Sequence, residues 1–120
     1  MAPPTLVHIK TAMEEDNLSF QEWLQEEGNL YIAAQLKKYS EDKNVKESLW
    51  CHRNLSYQHF KEEITTEEYL EKYEKFVRRR LWNKLDSLEG KTMGCWCKDH
   101  DKCIGTVLIK LFNEKRKIPY

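Results

Sequence analysis

The 120-residue chain has little glycine (4) and little proline (3), and no excess of either charge, with 20 Lys and Arg against 20 Asp and Glu. So few breakers exclude a collagen-like or low-complexity chain. The charge balance argues against general nucleic-acid binding, which would require an excess of Lys and Arg; a local basic patch stays open. No apolar run approaches the roughly 20 residues of a membrane span. Met1 to Thr11 lacks the charged-then-apolar pattern of a signal peptide, and acidic residues follow at once. The expectation is a cytoplasmic or nuclear protein with no membrane contact. Three motifs are also missing: the glycine loops of P-loop and dinucleotide sites, a serine elbow, and a helical His-Glu-x-x-His.

What is present is a charged fraction of 33% beside 40% hydrophobic residues. That mixture is globular rather than disordered, and its length fits one ordinary domain, residues 1–120. Four cysteines in an intracellular-type chain read as thiols or metal ligands rather than a disulfide framework.

Thr5 to Ile9 alternates and is β-branched, which predicts a first strand. Asp16 to Gly28 predicts a short helix: Ser19 and Glu22 form a capping box, Phe20, Trp23 and Leu24 share an inner face, and Gly28 stops it. Leu30 to Ala34 reads as a second strand, in preference to the start of a helix running through Leu36 and Tyr39. Residues 40 to 56 read as a long loop around the apolar knot Leu49-Trp50-Cys51. Thr65 and Glu68 form a second capping box. From there Tyr69, Leu70, Tyr73, Phe76, Val77, Leu81, Leu85 and Leu88 keep a helical period up to Gly90. Thr92 to Cys97 predicts a strand in which Gly94 permits close backbone approach. Lys98 to Lys102 is a tight loop. Ile104, Val107, Leu108, Leu111 and Phe112 then mark a last helix, with Lys115-Arg116-Lys117 at its C-terminal end. The order predicts a small α/β fold of three-layer type, with a short parallel or mixed sheet packed by helices. Val7, Ile32 and Cys95 should lie on neighbouring strands, covered by helices 66–88 and 104–114.

The cysteines carry the chemistry to be explained. In a strand Cys95 and Cys97 face one way and Trp96 the other, and Cys103 returns at the start of the last helix. Three readings stay open. In the first, Cys95 and Cys97 are small buried hydrophobes and Cys103 is a tolerated residue of the cap region. Alternatively Cys95, Cys97 and Cys103 are zinc ligands, with His100, Cys51 or His52 as the fourth. In the third reading the loop is a reactive or anion-binding site at a helix N-terminus, where backbone N–H groups favour a thiolate or a phosphate. Asp99 and Asp101 offer caps there, Lys98 and Lys102 flank them, and Cys103 should be the most acidic thiol. The spacing is not a common zinc spacing, so no tightly bound zinc and no cofactor is expected. His8 reads as a satisfied or partly exposed histidine, and Arg78-Arg79-Arg80 as a solvated face.

Leu88-Glu89-Gly90-Lys91-Thr92-Met93-Gly94-Cys95-Trp96-Cys97-Lys98, followed by Cys103-x-Gly105-x-Val107-Leu108, resembles the signature of the domain-of-unknown-function 4326 family of bacteria, phages and large DNA viruses. Val7 to Lys10, Tyr31-Ile32, Ser48 to Trp50 and Tyr69 to Leu88 are similar to earlier parts of that family. The resemblance implies a compact α/β fold and no particular reaction. This chain departs from the family where it looks most polar. Ile104 replaces a histidine, Ala33-Ala34 a glycine-arginine, and Cys51-His52-Arg53-Asn54 a glycine-asparagine-proline loop. A divergent, candidate viral member with altered or lost activity is therefore expected. The expected site gathers Tyr31 to Ala34, Ser48 to Asn54 and Lys98 to Cys103, with Tyr31, Trp50, His52, Arg53, Cys97, Lys98, Lys102 and Cys103 toward a small anionic, nucleotide-type ligand. The alternative is a non-catalytic interaction module, binding a protein partner, whose cysteines are structural or hold zinc.

Overall fold

The computed structural model describes residues 3–32, 49–95 and 103–117. Three strands, β1 (Thr5–His8), β2 (Asn29–Tyr31) and β3 (Thr92–Cys95), form one parallel sheet in the order β1-β3-β2. Thr92 lies opposite Thr5 on one side and Asn29 on the other. The Ile32 amide extends the ladder by donating to the Gly94 carbonyl at 3.1 Å. The predicted neighbours Val7, Ile32 and Cys95 are thus brought together, and the fold is a small α/β fold.

Alternation along the strands divides the core in two. Leu6, Leu30, Ile32, Met93 and Cys95 belong to the larger cluster, with helices α4 (Thr66–Phe76) and α5 (Ile104–Arg116). Val7 and Tyr31 belong to the smaller, with Ile9, Phe20 and Trp23. The helices at 66–88 and 104–114 therefore cover only one face. The other is covered by α1 (Ile9–Asp16) and α2 (Phe20–Gln25).

Helix α1 corrects the reading of the N-terminal region. Ile9 leaves the strand and opens a helix, and Asp16 ends one rather than starting one. Lys10, Ala12, Met13, Glu14 and Glu15 are good helix formers, and Ile9, Ala12 and Met13 share a face at i, i+3 and i+4. Asn17 closes α1 with φ 53°, a conformation Asn tolerates. Helix α2 carries the expected reciprocal capping box between Ser19 and Glu22. The Ser19 backbone and hydroxyl hold the Glu22 carboxyl below its ordinary value.

A second correction falls in the expected long loop. Arg53–Phe60 is a helix, α3, and His52 caps it by accepting the Leu55 amide on Nδ1 at 3.2 Å. Its signal was weak because only one side of it is apolar and buried, at Leu55, while Tyr57 and Phe60 face solvent.

From Thr66 the chain stays helical to Leu88, as its periodicity predicts, but the winding changes twice. Tyr69, Tyr73, Val77, Leu81 and Leu85 recur every four residues. At 3.6 residues per turn each step overshoots the core by about 40°. A π-type turn at Val77–Leu81 winds more loosely and brings the stripe back. A 3₁₀ stretch, Trp82–Leu88, then matches the three-residue spacing of Trp82, Leu85 and Leu88. Among the described residues no helix is long and apolar enough to cross a membrane.

Candidate functional site

Because all three strands are parallel, His8, Tyr31 and Cys95 end at one edge of the sheet. In open α/β sheets this carboxyl edge is where ligands bind. The central strand ends there at Cys95, and α5 begins there: Cys103 is its N-cap, with extended backbone (φ −106°, ψ 143°) and Sγ accepting the Gly105 amide at 3.4 Å. Cys103 thus begins the final helix as expected. The Cys103 thiol also donates to Cys95 Sγ at 3.1 Å. Both are fully buried, and they are thiols, as is Cys51.

Cys51 approaches the same neighbourhood. The Tyr73 hydroxyl donates to the Trp50 carbonyl. Burial first, and then the neighbouring Tyr69, Cys51 and Cys103, push the Tyr73 hydroxyl well above the ordinary phenol value. The Cys51 thiol meets the Ser56 hydroxyl at 3.8 Å, and that hydroxyl meets Tyr69's at 3.2 Å. Segment 49–52 is thereby held against α4 beside the start of α5.

The expected site residues divide. Trp50 and Cys103 are buried in the larger cluster, and Tyr31 in the smaller, packed on Phe20 with ring centroids 5.4 Å apart. The side chains of Tyr31 and Trp50 therefore serve different layers. His52 is half-buried, with its ring edge-on to Phe76 at 4.7 Å. Arg53 opens α3. Ile104, where the family signature has histidine, is buried in the larger cluster. Ala33, Ala34, Ser48, Trp96, Cys97, Lys98, Asp99, His100, Asp101 and Lys102 lie outside the described residues, and with them the expected caps, the flanking lysines and the zinc candidates Cys97 and His100. Among the described residues no three His, Cys, Asp or Glu side chains converge on a metal position.

His8 sits at the carboxyl end of β1, half-buried, with Nδ1 3.0 Å from the Thr11 hydroxyl, a satisfied histidine as expected. Arg78, Arg79 and Arg80 are all exposed, the solvated face expected, and the Arg78 guanidinium also grips the Glu114 carboxylate through two hydrogen bonds. Two open cavities occur elsewhere. One, about 670 Å³, follows β1 and α1 along His8, Thr11 and Glu15; the other, about 530 Å³, lies by His59 and Thr66. Neither is lined by Tyr31, Trp50, His52 or Cys103.

The family model described as Domain of unknown function (DUF4326) matches residues 34–114. The chain belongs to this family. The match takes in α3, α4, β3 and α5, so the thiol pair and its surroundings are family territory. The residues that resembled the family at Val7 to Lys10 and Tyr31-Ile32 fall before the matched span. No curated protein and no solved structure matches the chain.

Proposed function

We propose that this DUF4326 member is a ligand-binding or enzymatic domain that takes a small anionic, nucleotide-type compound at the carboxyl edge of its sheet. One observation carries the reading. The central strand and the N-terminus of the 13-residue helix α5 meet at Cys95 and Cys103, on the edge where β1, β2 and β3 all end. The Gly105 amide, in the first turn of α5, is capped by a sulfur, a weak acceptor that a phosphate oxygen outcompetes. Lys98 and Lys102, which precede α5 in the chain, supply countercharge.

A thermal-shift screen of the full chain against nucleotides and inorganic phosphate tests this. A ligand at ten times its Kd stabilises by about 1.4 kcal/mol, or about 5 °C in Tm for a chain of this size. The shift should vanish when Lys98 and Lys102 are both changed to Ala.

A second reading, a non-catalytic protein-interaction module, is favoured by the exposed apolar side chains of one segment: Leu49 (53% exposed), Tyr57 (58%) and Phe60 (84%). Absence of any shift across the screen selects it over the first.

A further inference from the structure

We propose that Cys95 and Cys103 are a peroxide-oxidisable pair that closes into a disulfide, stitching the central strand to the first turn of α5. The sulfurs are already 3.1 Å apart, with a thiol hydrogen between them. A disulfide bond is about 2.05 Å long, so closure needs an approach of about 1 Å. Both residues sit at the ends of elements rather than in their interiors: Cys95 is the last residue of β3 and Cys103 the extended N-cap of α5.

Cys103 is the attacking sulfur, because its Sγ already receives the Gly105 amide hydrogen, the donor that would hold a thiolate. Hydrogen peroxide, little larger than water, is the oxidant suited to so enclosed a pair. The Cys103 thiolate attacks one peroxide oxygen. The O–O bond breaks, and hydroxide leaves and is protonated to water, giving a sulfenic acid. The Cys95 sulfur then attacks the sulfenic sulfur. The S–O bond breaks, and the departing hydroxide takes the Cys95 proton as a second water. Two thiols and one peroxide become one disulfide and two waters, a two-electron oxidation of sulfur matched by reduction of the peroxide. The pair exists without a ligand, but a phosphate that took the Gly105 amide would remove the donor that holds the Cys103 thiolate, so the oxidation belongs to the ligand-free chain.

The test uses the full chain, reduced, treated with hydrogen peroxide, alkylated after denaturation and mapped by peptide mass. The expected product is a linked Cys95–Cys103 peptide two hydrogens lighter than the thiols, reversed by dithiothreitol and formed equally in Cys97→Ser. In urea-unfolded chain the same treatment should scatter the pairings among the four cysteines. Recovery of Cys95 as an alkylated thiol, its linkage to Cys97 or Cys51, or accumulation of Cys103 sulfinic acid with Cys95 untouched would each overturn the proposal.

Discussion

Tyr73 shows what a single polar atom does in this core. Its ring is wholly buried, and its hydroxyl reaches a carbonyl 23 residues away, at Trp50, in the segment that leads into α3. The hydrogen bond fastens the 49–52 segment to α4, in the cluster that Trp50 shares with Cys103. Tyr73→Phe keeps the shape and removes the donor. An unsatisfied buried acceptor costs about 1–3 kcal/mol, so Tm should fall by about 5–10 °C and the urea midpoint should drop with an unchanged m-value. An unaltered Tm would mean that the Trp50 carbonyl finds another donor. Tyr69→Phe should cost less, because its partner, the Ser56 hydroxyl, has a second neighbour in the Cys51 thiol. The helical period placed Tyr73 on the inner face. It carried no information on the hydroxyl's partner, because that contact is fixed by chain segments far apart in sequence.

At the scale of elements, the spacing between sheet and helices is set by two glycines. A Cβ at Gly94 would fall against Trp23 Cη2, 2.6 Å from Ile9 Cγ1 and 2.8 Å from Trp23 Cζ2. Both neighbours are buried side chains of α1 and α2 and have nowhere to go. A Cβ at Gly105 would meet Leu6 Cδ1, with Leu6 Cδ2 at 2.9 Å and Ile32 Cδ1 at 3.1 Å. Leu6 is half-buried and can turn, and alanine gains about 1 kcal/mol of helix propensity over glycine. Gly94→Ala should therefore destabilise by about 1–3 kcal/mol through overpacking, and Gly105→Ala by clearly less; paired urea titrations would show a reversed order if the α1–α2 layer yields more easily than Leu6. Close approach at Gly94 was legible in the sequence, since glycine inside an apolar strand has few other uses. The caps at Ser19 and Thr65 were legible because their chemistry is local, although only Ser19 forms the reciprocal box: the Thr65 hydroxyl accepts the Glu68 amide and donates to the Glu68 carboxylate. Helices α1 and α3 were not. The first was hidden because Ile9 completes the alternation of the strand before it, and the second because its buried side is a single leucine. The shift in winding near Leu81 was present as a change of apolar spacing from four to three, a signal only the observed π and 3₁₀ turns make plain.

For the whole molecule, the long helical run and α5 are tied together on the outside by charge. Arg78 holds Glu114 at 2.8 and 3.0 Å and Glu74 at 3.2 Å, Lys110 holds Glu74 at 2.7 Å, and Lys115 reaches Asp86 at 3.1 Å and the Trp82 carbonyl at 3.0 Å. In a chain with no net charge these pairs do not offset a global repulsion. They fix how the two helices that cover one face of the sheet lie against each other. The Lys110 hydrogen bond, and then Arg78, hold the Glu74 carboxyl below its ordinary value of 4.5, and Arg78 does the same for Glu114. A carboxyl group depressed in the folded state contributes stability that is fully present above its unfolded value and is lost as pH falls through the folded one. The contribution of these carboxylates should therefore be constant from neutrality down to about pH 5 and be lost progressively below about pH 4.5. Solvent screens these exposed pairs, so the loss should be modest, and raised salt should shrink it. Arg78→Ala separates this network from the rest of the acid response, including the depressed Glu22 at the α2 cap. The variant should be slightly less stable at neutral pH, and the gap should close as pH falls below the carboxylate range. Urea midpoints of both proteins across pH 3 to 7 decide the matter, and two parallel curves would show that the Arg78 network contributes nothing that protonation removes.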